Sequence, residues 1–311
     1  MTAHKIAFLF PGQGSQSVGM GRELFEAYPS SREIFEKADA ILDRPLSRLC
    51  FEGPEADQVP TSNQQPLLFT VSMAALAALR DKGIEPAAAA GHSLGEYGAL
   101  VSGGVFDWET GLRLVATRGK AMQAAGEANP GSMAAVMATA DVVQQACDAV
   151  GDGVGIVNFN APEQNIISGE TAAVDAALAK LKELGVRRAI KLPVSSAFHS
   201  PLMNAAVEPM KQALAEAQMN APRIAVISNV TAQPYSNAAQ VREMLAMQIT
   251  GQVRWVESMQ RLSALGCDLF IEVGPGKVLG GLAKRINAEW TVLPCGTPAE
   301  VEAVVEAVRA N

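Results

Sequence analysis

Apolar positions recur along this chain in two rhythms. KIAFLF, near the start, is a short continuous apolar run closed by Pro11 and a glycine-rich loop, and it predicts a buried strand. Residues 21 to 42 and 66 to 82 instead carry apolar side chains at helical spacing. PAAAAG predicts a second buried strand, and LGEYGALVSGG a helix directly behind it. A longer helix is expected over residues 108 to 125, with Asp107 as its N-cap. Strands alternating with helices argue for a largely parallel α/β sheet.

The texture changes near residue 127. GEANPGS has the make-up of a linker, SMAAVM predicts a strand and DVVQQACDAV a helix. GIVNFN and QNIISGE read as two strands joined at the turn APE. TAAVDAALAKLKELG is a periodic helix closing at Gly185, and RAIKLPV is a last strand. The order β-α-β-β-α-β is that of a ferredoxin-like unit. After residue 195 the first texture resumes, with strands at RIAVISNV and LFIEVGPG and a helix at KVLGGLAKRI. The expected fold is α/β: a large domain with a mostly parallel sheet, residues 1–127 and 196–311, interrupted by a ferredoxin-like small domain, residues 128–195.

Composition narrows the function classes. Of 311 residues, 49% are apolar and 18% charged, enough for a sizeable core and unlike a disordered chain. The net charge of −7 and the lack of a basic, aromatic-interleaved run argue against nucleic-acid binding. Cysteines 50, 147, 267 and 295 form no C-x-x-C pair and are expected to be buried thiols in a reducing compartment. The apolar run Ile6 to Phe10 is too short for a signal-peptide core, and no apolar stretch reaches membrane-spanning length, so a cytoplasmic location is expected.

The chemistry concentrates around one serine. Gly91-His92-Ser93-Leu94-Gly95 fits G-x-S-x-G between a predicted strand and a predicted helix, the setting of a nucleophile elbow. A bare match arises often by chance as a tight turn, and the context on both sides favours catalysis. The Leu94 N–H would then lie at a helix N-terminus, placed to stabilise an oxyanion. A serine hydroxyl needs a base, and the chain has three histidines. His4 is in the terminal segment and His92 points away from the serine if the elbow forms, which leaves His199, in SSAFHSP. No Asp or Glu between residues 93 and 199 is singled out as a third member, so a triad and a pair oriented by a backbone carbonyl stay equally open.

Two more segments invite a role. In FLFPGQGSQSVGMG, Gly14 and Gly19 have P-loop spacing, yet Met20-Gly21 stand where Lys-Ser/Thr belongs. The segment is either a plain strand-end loop or one offering the Gln13 N–H as a second oxyanion donor. Arg118 lies on a predicted helix one turn before Met122, beside the apolar face of Leu112, Leu114 and Val115. A helical arginine is ordinarily a solvated charge. A partly buried one wants a carboxylate, and its fork could hold a substrate carboxylate by two parallel bonds.

These segments together resemble the malonyl-CoA:acyl carrier protein transacylase family of bacterial type II fatty acid synthesis. The likeness rests on FPGQGSQ at 10 to 16, GHSLGEYGAL at 91 to 100, TRGKAM at 117 to 122, NAPEQNIISG at 160 to 169, AFHSPLM at 197 to 203, QITGQVRW at 248 to 255 and EVGPGKVL at 272 to 279. The resemblance implies an α/β-hydrolase-like large domain with a ferredoxin-like insertion. It implies Ser93 as nucleophile, His199 as base oriented by backbone carbonyls near Gln248, and Gln13 and Leu94 amides as the oxyanion hole. Arg118 would pair with the malonyl carboxylate, with His92 and Met122 at the acyl pocket. Asn160 and Gln164 would meet the CoA pantetheine. Phe198, in an Ala-Phe-His ending like that of malonyl-specific polyketide acyltransferases, would exclude an α-methyl group. Ser196 departs from the histidine those domains often carry.

The expected reaction is ping-pong transfer of malonyl from malonyl-CoA to the phosphopantetheine thiol of acyl carrier protein, by a monomer with no metal or cofactor. The acidic carrier would dock on Arg187, Arg188 and Lys191, with Lys284 and Arg285; the alternative reading of these charges is solvation alone. The alternatives are a trans-acting polyketide acyltransferase, a serine esterase or thioesterase, and a non-catalytic carrier-docking protein.

Overall fold

The computed structural model describes residues 4–310. Two sheets organise them. Five strands, β1 (Ile6–Phe10), β2 (Ala88–Gly91), β7 (Ala225–Ile227), β8 (Leu269–Val273) and β9 (Thr291–Cys295), form one sheet in the order β7-β2-β1-β8-β9, every pairing parallel. The remaining four, β3 (Ser132–Val136), β4 (Val154–Ala161), β5 (Gln164–Gly169) and β6 (Ala189–Lys191), form an antiparallel sheet in the order β4-β5-β3-β6. With helices Ala140–Val150 and Thr171–Glu183 between them, these strands follow the ferredoxin-like order and topology.

Strand alternation divides the parallel sheet's two faces. Phe8 and Phe10 of β1 enter one core with Leu67, Leu68 and Tyr97, while Ala7 and Leu9 enter the other with Trp255 and Phe270. Both faces are covered by helices, which is why KIAFLF is continuously apolar. A third core, including Val136, Ile156, Ile167 and Leu181, belongs to the antiparallel sheet.

Several element bounds differ from the sequence reading. The pattern over 21 to 42 is two helices, Arg22–Ala27 and Pro29–Leu42, because Tyr28 is extended and Pro29 opens the second. The helix expected to start at 66 runs Thr61–Asp81, its near-complete burial outweighing the backbone bond that Pro66 forgoes. Helix Trp108–Ala128 is N-capped by Asp107, whose side chain accepts from Thr110 N–H, and it continues into the expected linker. RIAVISNV yields only the three residues of β7, so Ser228 and Asn229 are freed for the loop beyond it. Edge strand β9 contains Pro294, which a central strand would not tolerate. No helix of the described residues is long and apolar enough to cross a membrane.

Candidate active site

The site lies beyond the carboxyl ends of β1 and β2, where an open parallel sheet leaves room for ligands. Between β2 and helix Gly95–Ser102 the chain reverses at Ser93, whose φ of 51° is left-handed. Such a conformation costs about 1–3 kcal/mol in a non-glycine residue and needs firm support. The flanking glycines allow it: a Cβ on Gly91 would lie 1.9 Å from the Gly95 carbonyl carbon, and one on Gly95 2.0 Å from Phe10 O. Asn229 completes the support, accepting from Ser93 N–H at 2.7 Å and donating to Gly91 O at 2.6 Å.

His199 arrives from the segment just before the short 3₁₀ helix Pro201–Ala206, also left-handed at φ 61°. Its Nε2 is 2.8 Å from Ser93 Oγ, and its Nδ1 is 2.8 Å from the backbone oxygen of Gln248. A carbonyl only accepts, so Nδ1 carries the hydrogen and Nε2 offers its lone pair to the serine hydroxyl. Burial, followed by the Arg118 charge, lowers the His199 pKa to about 3, which keeps the imidazole neutral and able to take a proton. Of the two arrangements left open by the sequence, the structure forms the carbonyl-oriented pair.

Arg118 is fully buried in the middle of helix Trp108–Ala128. Nη2 donates to Ser93 Oγ at 3.1 Å and to Gln248 Oε1 at 2.9 Å, and the guanidinium lies 5.8 Å from the Tyr97 ring centroid. Nε and Nη1 have no hydrogen-bond partner. The side chain is more deeply buried than the sequence suggested, and it keeps donors free for a carboxylate. Burial lowers its pKa, the cost of withholding a charge from water.

The other candidates surround this centre. Gln13, in the loop after β1, donates through Nε2 to Gln64 Oε1, and its Oε1 accepts from Gln65 Nε2 at 3.3 Å. Gln65 Nε2 also approaches Met122 Sδ at 3.5 Å. Leu94 precedes the first residue of helix Gly95–Ser102, where backbone N–H groups have no intrahelical acceptor. His92 turns from Ser93: its Nε2 is 2.8 Å from Asn160 Oδ1 on β4 and its ring meets Trp255 edge-on. Phe198 is buried beside the base. Gln164 opens β5 half-buried, and its side chain makes no hydrogen bond to the residues of this centre.

Sequence reasoning missed Glu96, Asn229, Tyr235, Gln64 and Gln65. Glu96 carried a signal, as the only charge in the apolar helix GEYGALVS, and its carboxylate is fully buried under the serine. Asn229 gave none, since its role depends on where β7 ends. No group of three or more His, Cys, Asp or Glu among the described residues could hold a metal.

The family model described as "Acyl transferase domain" matches residues 7–288. The chain belongs to that family. This acyl transferase is 41% identical over 309 residues to the malonyl CoA-acyl carrier protein transacylase of Bacillus subtilis (strain 168), covering 98% of each chain. It is 40% identical over 306 residues to that of Escherichia coli (strain K12), covering 97% of this chain and 99% of the other. Among solved structures, the acyl-carrier-protein-S-malonyltransferase of Bartonella henselae superposes with a TM-score of 0.94 at 41% identity, over 98% of this chain and 99% of that one. A malonyl-transacylase in complex with its type II PKS acyl-carrier protein matches with a TM-score of 0.94 at 36% identity, over 99% and 100%.

Proposed function

We propose that this acyl transferase moves a malonyl group from malonyl-CoA to the phosphopantetheine thiol of an acyl carrier protein, through a malonyl-Ser93 intermediate. The observation that carries the reading is the meeting at one oxygen of a neutral imidazole and a fully buried guanidinium: Ser93 Oγ lies 2.8 Å from His199 Nε2 and 3.1 Å from Arg118 Nη2. An esterase for neutral substrates has no use for a buried cation at its nucleophile, whereas a malonyl group brings the carboxylate that would pair with it. The names of the relatives and of the carrier-bound neighbour agree with this chemistry.

Ser93 Oγ attacks the thioester carbonyl as His199 Nε2 takes its proton. The Gln13 and Leu94 amides hold the oxyanion, and its collapse breaks the C–S bond. CoA departs with the proton from His199. Acylated Oγ is an ester oxygen and a weaker acceptor, which frees the Nη2 hydrogen to join Nη1 in clasping the malonyl carboxylate. The carrier's thiol then gives its proton to His199, attacks the acyl carbon, and the serine oxygen leaves with that proton. No step needs a metal or redox cofactor. Met122, Phe198 and His92 would line the acyl group, with Asn160 and Gln164 toward the pantetheine.

In this reading residues 128–195 form a domain set into a larger one, residues 1–127 and 196–311, in a cytoplasmic monomer. The carrier docks on exposed Arg187, Arg188, Lys284 and Arg285. Lys191 contributes less, being paired with Asp175 at 2.7 Å. Whether the carrier serves fatty acid or polyketide synthesis is a property of the carrier, and the acyl chemistry is the same. Intact mass after mixing with malonyl-CoA tests the core claim. A malonyl-sized adduct on the parent and none on Ser93→Ala, discharged by holo-carrier and slowly by water, is expected; rapid discharge by water would make the protein a hydrolase instead.

A further inference from the structure

Beneath the serine turn lies a buried polar cluster that the transfer steps do not use directly. Glu96, three residues after Ser93, is fully buried, and its carboxylate meets donors on every side. Oε1 accepts from the Tyr235 hydroxyl at 2.5 Å and the Asn229 backbone N–H at 3.0 Å, while Oε2 accepts from Gln248 Nε2 at 2.5 Å. A peptide N–H and an amide NH₂ can only donate, so a proton on Oε2 would face another hydrogen. The array fits the ionised carboxylate.

Two of those donors go on to hold the reacting groups. Asn229, fixed by Glu96 through its backbone, clamps Ser93 N–H and Gly91 O with its side chain. Gln248 stands between an anion and a cation, its Nε2 toward Glu96 and its Oε1 accepting from Arg118 Nη2 at 2.9 Å. Its backbone oxygen holds His199 Nδ1. A flipped Gln248 amide would point its oxygen at the carboxylate and at Ser93 O, which Nε2 meets at 2.9 Å, and its NH₂ at the guanidinium. The Glu96 charge thus holds the amide in the orientation that Ser93 O and Arg118 also require.

We infer that Glu96 is a positioning residue for acyl transfer: its carboxylate sets Asn229, which holds the Ser93 turn, and Gln248, which orients His199 and Arg118. The inference rests on Ser93 being the acylated residue.

Protonation gives it a signature that a merely structural glutamate lacks. The titratable groups facing Glu96 are Tyr97 on its own helix, Tyr235 from the loop after β7, Arg118 from helix Trp108–Ala128 and, through Gln248, His199. Burial raises Glu96 to about 7, raises both tyrosines, and lowers Arg118 and His199, the latter to about 3. Glu96 is thus the member of this group that titrates near neutrality. Acylation should slow as pH falls through about 7 while His199 is still unprotonated.

The test is single-turnover malonylation of the full chain by malonyl-CoA, quenched and read by intact mass across that pH range, with folding checked by circular dichroism. A parent that forms no adduct on Ser93 would remove the proposed function and this inference with it. Given an adduct on the parent, Glu96→Gln is expected to acylate about 100-fold more slowly, as a misplaced reacting pair does, and to lose the step near neutral pH. Tyr235→Phe guards against an unfolded E96Q: deleting one donor to the carboxylate makes it easier to protonate, so the step should move to higher pH. An E96Q that matches the parent in rate and pH step, or a Y235F whose step stays in place, overturns the inference.

Discussion

Arg118→Ala separates a substrate-binding cation from a structural one. The side chain is fully buried, and its free Nη1 and shared Nη2 are the groups a malonyl carboxylate would take. Charge-assisted hydrogen bonds contribute about 1.5–3 kcal/mol each, and about 3–4 kcal/mol for the pair allows for water entering the vacated space. At about 1.4 kcal/mol per decade, malonyl kcat/KM should fall by about 140- to 700-fold. Acetyl transfer has no carboxylate to lose. It forgoes only the 3.1 Å bond that Arg118 gives to Ser93 Oγ, about 1.5 kcal/mol or roughly tenfold. Initial rates of transfer from malonyl-CoA and acetyl-CoA to one holo-carrier protein measure the difference, with thermal denaturation confirming that the variant folds. Equal losses for the two acyl groups would refute the reasoning, and Arg118 would then be holding Gln248 and the site's shape.

Further predictions follow from other residues. Phe198→Ala should narrow the preference for malonyl over methylmalonyl by about 1–3 kcal/mol in kcat/KM, the value of one methyl-sized clash; an unchanged ratio takes Phe198 out of selectivity. Gly95→Ala forces a Cβ to within 2.0 Å of Phe10 O, and backbone cannot yield as a side chain can. Its unfolding free energy in urea should drop by more than about 3 kcal/mol, and a loss under about 1 kcal/mol would show that the elbow relaxes. Burial raises Glu96 and Glu272 to about 7, so the folded chain binds these protons more tightly than the unfolded one. Each therefore withdraws stability as pH rises from the unfolded carboxylate range, about 4.3, to about 7, and no more above that. His199 and His92, which burial lowers, pull the other way below about 6.5, so the parent is compared with Glu272→Gln. It should gain stability relative to the variant as pH falls from about 8 toward about 5.5, and a difference in urea midpoint that does not change with pH would contradict the burial argument. Reversing charge at Arg188 and Lys284 together should lower carrier kcat/KM at low salt and flatten its salt dependence; no change in either would leave these side chains as solvation.

The route from sequence to site was short wherever chemistry and backbone constraint coincide in one segment. Gly91-His92-Ser93-Leu94-Gly95 announces the elbow because glycine is required where β2, the next helix and β1 nearly touch. His199 emerged through scarcity, as one of three histidines. The ferredoxin-like order was readable because periods of two and of 3.6 alternate cleanly between SMAAVM and RAIKLPV. Arg118 was legible as a candidate, but its total burial was not, since helical position does not reveal what packs over it. The start of helix Thr61–Asp81 was misread because Pro66 is a local signal, and tertiary burial overrode it.

What the sequence by itself determined is the set of groups and the local turns: a serine on a glycine-flanked reversal, a histidine free to act as base, and the strand and helix order around them. Local sterics and hydrophobic periodicity act over a few residues, so they are written in a few residues. Only the tertiary structure decided what each group is to the others. The carbonyl that holds His199 belongs to Gln248, 49 residues away, and Asn229, which clamps the serine turn, lies 136 residues from it. Glu96 becomes a hub, instead of an odd charge in an apolar helix, because Asn229, Tyr235 and Gln248 converge on it. Hydrogen bonds across such separations depend on how the parallel sheet and its helices pack, and no local pattern encodes them.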